Sequence, residues 1–210
     1  MDTPLGRGLS VKQATAVGWS EVAGREASLV RRCAAGDEEA CTELVGEHHR
    51  MVLNLATHLL ADREEAMDLA QEVFLRVFRT IHRFRGQSSL KTWIYRITIN
   101  QVRNRQRWWR RRHRSEVVSL DLHLDRGGDA GLGTSVLAPD RIFACRELAG
   151  LLQRALDRLP FEQRTAIVLR EIEGMTYDEI AFSLGLAVGT VKSRLTRARQ
   201  ALRAELRGLR

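Results

Sequence analysis

Two long stretches, Ala27 to Arg112 and Asp140 to Leu206, carry apolar residues at the three-and-four spacing of an α-helix, and neither shows the alternation of a strand. A chain written this way folds as packed helices, because each helix has one apolar stripe to bury against a neighbour. Only three prolines occur in the 210 residues, so little in the sequence breaks those helices. Between the stretches, Ser115 to Pro139 holds Gly127, Gly128, Gly131 and Gly133 and has no helical period, which marks a linker. The expectation is an all-α protein of two small helical domains joined by a flexible linker. The domains are placed at 27–113 and 140–210, with the linker over 114–139 and a disordered tail over 1–26.

Charge narrows the function. The net charge is +8, which points to an anionic partner, usually nucleic acid. Almost all of the basic residues are arginine, which suits bidentate contacts to phosphate and guanine; Lys12, Lys91 and Lys192 are the only lysines. The distribution is uneven. Asp37, Glu38, Glu39, Glu43, Glu47, Asp62, Glu64, Glu65, Asp68 and Glu72 make the start of the first domain acidic, whereas Arg76 to Arg114 contains no acidic residue at all. Trp93, Tyr95, Trp108 and Trp109 are threaded through that basic stretch. Arginine interleaved with aromatic rings suits single-stranded nucleic acid, where phosphates need charge and unstacked bases need a ring to lie on.

Other classes fall away. No run approaches the roughly 18 apolar residues of a membrane span, and Met1 to Val30 lacks a signal-peptide centre, so no membrane insertion and a cytoplasmic location are expected. Cys33, Cys41 and Cys145 form no CxxC pair and read as reduced thiols. The histidines show no metal-ligand spacing, and there is no nucleotide-binding glycine loop or nucleophile constellation. Neither a cofactor, a metal nor a catalytic residue is expected.

The second domain reads as a helix-turn-helix. Thr176 caps a helix and Glu179 completes a capping box, with Ile180, Ala181 and Leu184 as the apolar stripe. Gly185 ends it, and a second helix starts near Gly189. Val191, Leu195, Ala198 and Leu202 face the core; Lys192, Ser193, Thr196, Arg197 and Gln200 face out, as in a recognition helix for the major groove. Ala187 offers no side-chain cap. Upstream, Pro160 is expected to open a helix as its first residue, and Arg170 to reach the DNA backbone.

In the first domain, Ala66, Ala70, Val73, Phe74, Val77, Phe78 and Ile81 form one stripe. Asp68, Leu69, Gln71, Glu72 and Leu75 are expected off it, as an acid-and-leucine face for a protein partner. After the break at Phe84 to Ser89, a helix runs from Leu90 to about Arg112. Its Arg96, Asn100, Arg103 and Arg107 share one face within roughly 60°. Trp93 borders that strip, and Leu90, Ile94, Ile97 and Thr98 point to the core.

With these residues in place, the stretch Glu65 to Phe74, then Phe84-Arg85-Gly86 and Thr92 to Ile97, resembles the promoter-melting domain of bacterial sigma factors. It is most similar to the small extracytoplasmic-function (ECF) group of the sigma-70 family. Leu159-Pro160, Leu169-Arg170-Glu171, Tyr177 to Ala181 and Val188 to Leu195 resemble that group's second DNA-binding domain. The resemblance runs from Ala27 to Leu206. It implies a stress-response sigma factor whose partners are core RNA polymerase, promoter DNA and an anti-sigma factor. Asp68, Leu69, Gln71, Glu72 and Leu75 would dock on the β′ clamp helices, and the second domain on the β flap. Arg85, Gln87, Ser88, Trp93, Arg96, Asn100 and Arg103 would hold the melted minus-ten strand. Arg170, Lys192, Ser193, Thr196 and Arg197 would read the minus-thirty-five duplex. The linker, with Glu116, Asp121, Asp125 and Asp129, would thread toward the RNA exit path.

Two other readings compete. A helix-turn-helix regulator binding operator DNA explains the second domain but not the basic-aromatic helix of the first. A nucleic-acid-processing enzyme needs a catalytic carboxylate or metal cluster that the sequence does not offer.

Overall fold

The computed structural model describes residues 22–113 and 139–208; residues 1–21 of the tail expected over 1–26, and residues 114–138 of the linker expected over 114–139, lie outside them. Among the described residues the structure is helical throughout, with no strand. The first block is α1 (Val22–Ala34), α2 (Glu38–Leu60), α3 (Arg63–Thr80), a 3-10 turn (Ile81–Arg83) and α4 (Leu90–His113). The second is α5 (Pro139–Asp157), α6 (Phe161–Ile167), a π-helical turn (Val168–Ile172), α7 (Tyr177–Leu184) and α8 (Val188–Gly208). The first helix therefore starts five residues ahead of the expected Ala27.

Local chemistry sets the helix ends. Asp37 caps α2 by accepting from the Ala40 amide at 3.1 Å, and Asp62 caps α3 by accepting from Glu65 at 3.0 Å. Between them Ala61 takes a left-handed conformation, φ 58, that closes α2. Ser89 starts α4, its hydroxyl accepting from the Thr92 amide at 3.1 Å. Pro160 is not the first residue of α6 as expected. It stays extended at ψ 139 as the residue ahead of the helix, and its carbonyl accepts the first helical bonds from Gln163 and Arg164.

In the first block α2, α3 and α4 each pack against the other two, and Leu44, Leu55, Leu59, Val73, Val77, Ile94 and Val102 are fully buried among them. In the second, α6, α7 and α8 close around Ile167, Leu169, Ile180, Val191 and Leu195. The expectation of two tethered domains left their relation open. Here the blocks are packed together, α4 against α7 and α2 against α5 and α6, and the buried residues form one continuous cluster. None of the described helices is long and apolar enough to cross a membrane. Cys33 is buried and Cys41 half-buried, both free; burial and its neighbour Cys41 push the Cys33 thiol up to about 11, so it stays protonated at neutral pH. Cys145 has no described side chain.

Candidate nucleic-acid interface

The second block presents a helix-turn-helix built as its residues dictate. Thr176 accepts from the Glu179 amide at 3.3 Å, and Glu179 accepts from the Thr176 amide at 2.8 Å, so two orphan donors at the start of α7 are satisfied reciprocally. Gly185 turns the chain at φ 66, where a side chain would be strained, and the Leu186 amide bonds back to the Ala181 carbonyl. The Ala187 carbonyl accepts from Thr190 and Val191 as α8 begins. Val191, Leu195 and Ala198 are buried behind α8, and Leu202 is half-buried.

Lys192, Ser193, Thr196 and Arg197 are all exposed on the outer side of α8, as expected. The Ser193 hydroxyl donates to the Thr190 carbonyl and the Thr196 hydroxyl to the Lys192 carbonyl, at 2.9 and 3.1 Å. Arg170, expected to reach the DNA backbone, sits in the turn ahead of α7. Half-buried, it donates to the Met175 carbonyl at 2.7 Å and lies over the Tyr177 ring, because the turn before α7 offers both partners closer than solvent. Its guanidinium braces the turn that sets α7 and α8.

The first block presents a basic groove between α3 and α4. Arg76, Ile97, Asn100, Gln101, Arg103, Asn104 and Arg107 line a recess of about 460 Å³. Asn100 accepts from Arg103 at 3.5 Å, so the amide and guanidinium face the same opening. At one end, Gly86 at φ 65 bends the Phe84–Ser89 loop outward, leaving Arg85 and Gln87 exposed. Trp93 packs edge-on against Phe84 at 5.5 Å, half-buried, with one side toward the loop. At the far end of α4, Trp108 is exposed and lies under Arg112.

Several expectations need correction. Ser88 is buried and donates to the Ser89 carbonyl, because the loop folds its hydroxyl inward to begin α4. Tyr95, read as one of the interleaved rings, is fully buried. Its hydroxyl donates to Glu173 at 2.5 Å, and burial together with that bond pushes its pKa far up. Leu69 is fully buried, whereas the acid-and-leucine face was expected to expose it. It sits at the edge of the α3 stripe, and α3 is covered on two sides, which widens its buried arc. Asp68, Gln71, Glu72 and Leu75 are exposed as expected, joined by Met67. Met67 lies four residues before Gln71 and eight before Leu75, a same-face spacing visible in the sequence. Glu72 also reaches across to Arg105 of α4 at 2.7 Å.

The electrostatics fit two binding tasks. An exposed helix face of one lysine, one arginine and two hydroxyls matches the edges of duplex bases. A polar recess with three arginines matches a phosphodiester backbone. Contacts missed from the sequence lie between the blocks. Glu162 of α6 accepts from Arg103 at 3.5 Å and also pairs closely with Arg194 of α8.

Comparison with known proteins is consistent with this geometry. The family model described as Sigma-70 region 2 matches residues 44–115, and that described as Sigma-70, region 4 matches residues 149–202. The RNA polymerase sigma-H factor of Pseudomonas aeruginosa is 36% identical over 186 residues, covering 88% of this chain and 95% of that protein. The ECF RNA polymerase sigma-E factor of Escherichia coli is 34% identical over 175 residues, covering 83% and 90%. Among solved structures, the sigma factor RpoE in complex with the anti-sigma factor NepR from Bartonella quintana matches with a TM-score of 0.63 at 24% identity, over 79% of this chain and 96% of that one. That likeness concerns the fold.

Proposed function

The chain belongs to the ECF group of the bacterial sigma-70 family, and from that membership we propose how its two helical blocks divide the work of starting transcription. It is an RNA polymerase sigma factor, a transcription initiation factor and not an enzyme. The exposed side of α8, with Lys192, Ser193, Thr196 and Arg197, reads the minus-thirty-five element as duplex, and Arg170 holds the turn that aims it. The α4 strip of Arg96, Asn100 and Arg103, with Trp93 and the Arg85–Gln87 loop, holds the melted minus-ten strand. Asp68, Gln71, Glu72 and Leu75 on α3 dock on the β′ clamp helices, and the second block meets the β flap. The domains span 27–113 and 140–210, with 114–139 as the tether. An anti-sigma factor is a further partner, as the Bartonella quintana protein has.

Magnitudes support this division. Opening four base-pair steps costs on the order of 5–6 kcal/mol, at about 1.4 kcal/mol per step. A captured base returns roughly 1–3 kcal/mol. The chain alone therefore does not hold a promoter open, and core polymerase has to supply the remainder. Two modules on one tether also raise each other's effective concentration on DNA.

The observation that carries the reading is the bare outer side of α8 in a chain whose other half bears an acid-free arginine helix. Run-off transcription with purified core polymerase on genomic fragments tests it. Specific initiation that depends on this chain is expected; its absence at every start site would overturn the proposal.

A further inference from the structure

α1 and α2 meet at a tight corner that brings two thiols together. Gly36 turns the chain at φ 85, its amide bonding back to the Cys33 carbonyl at 3.1 Å. The Asp37 amide bonds to the Arg32 carbonyl at 3.1 Å, and the Asp37 carboxylate accepts from Nε of Arg32 at 2.6 Å. One turn further on, the Cys41 amide bonds to the Asp37 carbonyl at 3.0 Å. Cys33 belongs to the core, 7% exposed, and Cys41 packs half-buried against that core. Of the titratable groups around the Cys33 thiol, the Cys41 thiol acts on it most strongly, ahead of Arg32 and Asp37, so the two sulfurs are neighbours across the corner.

We propose that Cys33 and Cys41 form a reversible redox pair: a peroxide joins them in an intramolecular disulfide that staples α1 to α2, and a thiol reductant releases it. The sequence offers no CxxC motif, and it is the folded corner that pairs the two thiols.

Exposure sets the order of events. Cys41 is the thiol that hydrogen peroxide reaches from solvent. Its sulfur, as thiolate, attacks one peroxide oxygen; an S–O bond forms, the O–O bond breaks, and the hydroxide released takes up the thiol proton and leaves as water. Cys33 is buried and held protonated, which spares it direct attack. Its sulfur then attacks the Cys41 sulfenic acid. The S–S bond forms, the S–O bond breaks, and the departing hydroxide takes the Cys33 proton. Two thiols and one peroxide become one disulfide and two waters. Attacker and target sit side by side, so the second step gains the advantage of an intramolecular reaction even for a protonated thiol.

The staple acts on a lightly held helix. α1 packs on α2 and the 3-10 turn, with Leu29 and Cys33 buried, and its Arg25 pairs with Glu43 and Glu47 while 77% exposed, where ion pairs contribute little. An element held this way opens more readily than the core around it. Glu26 of α1 accepts from the Leu90 amide at 3.3 Å, so fastening α1 also steadies the start of α4 beside the Phe84–Ser89 loop.

Thiol labelling of the full chain tests the proposal. The reduced protein is treated with hydrogen peroxide and then, in denaturant, with N-ethylmaleimide to mark every remaining thiol. Cleavage after arginine releases residues 33–50 as one peptide holding both cysteines. After peroxide this peptide should be unmarked and two hydrogens lighter, and dithiothreitol should restore double marking. Amide exchange across α1 should slow about tenfold or more in the oxidised chain. Cys33→Ala should leave Cys41 as a sulfenic acid that dimedone traps. Cys41→Ala, at the more exposed position, should leave Cys33 unoxidised and therefore marked; it carries the test if the buried Cys33 substitution fails to fold. A peptide still doubly marked after peroxide, Cys41 driven to sulfinic acid without pairing, or either thiol joined to Cys145 instead would overturn the redox pair. A disulfide that leaves exchange across α1 unchanged would overturn the staple.

Discussion

Replacing Arg197 with alanine removes a fork of donors from the outer side of α8 without disturbing Val191, Leu195 and Ala198 behind it. A bidentate base contact is worth about 1–3 kcal/mol, so promoter-dependent transcription should fall about tenfold or more. Core binding, measured by co-elution with polymerase, should be unchanged. Trp93 is the corresponding test on α4. Its ring is half-buried against Phe84, with one side toward the loop. Trp93→Ala should leave duplex binding intact and reduce permanganate reactivity of promoter thymines, because the opened strand loses its stacking platform. Trp93→Phe should restore some of that reactivity.

At the scale of the element, α3 serves two masters. One side builds the core, and the other offers Met67, Asp68, Gln71, Glu72 and Leu75 to solvent. Glu72→Arg should weaken core-polymerase binding, measured by competition against a labelled sigma factor, by reversing one charge on that face and facing it toward Arg105. Elements were the most legible level of the sequence. The capping box of Thr176 and Glu179, the stop at Gly185 and the apolar back of α8 all depend on neighbours within a few residues, so spacing alone reveals them. Leu69 was not legible, since a residue roughly 40° from Val73 at the edge of a stripe is buried or exposed according to how many helices cover it. Ser88 hid for a related reason: a hydroxyl in a loop serves solvent or its own backbone, and only the folded loop decides.

The whole molecule was the least legible. Tyr95 meets Glu173 across 78 positions of sequence, and Arg103 meets Glu162 across 59. Periodicity says which face of α4 is polar but carries no signal for what lies opposite. The result bears on ionic strength, because the fold seats the Glu162 carboxylate between Arg103 and Arg194. When a DNA strand takes Arg103, a salt-screened pair within the protein is exchanged for a salt-screened pair with a phosphate, while the carboxylate keeps Arg194 as its partner. The affinity of the chain for single strands should therefore decline less steeply with salt than its arginine count implies. Glu162→Gln removes the competing pair and should steepen the log–log dependence of single-strand affinity on salt. Titrations across a range of potassium chloride concentrations measure it. The protein thus carries an internal stand-in for its nucleic-acid ligand, and binding becomes an exchange of one anion for another that tolerates shifts in ionic strength better than simple attraction does.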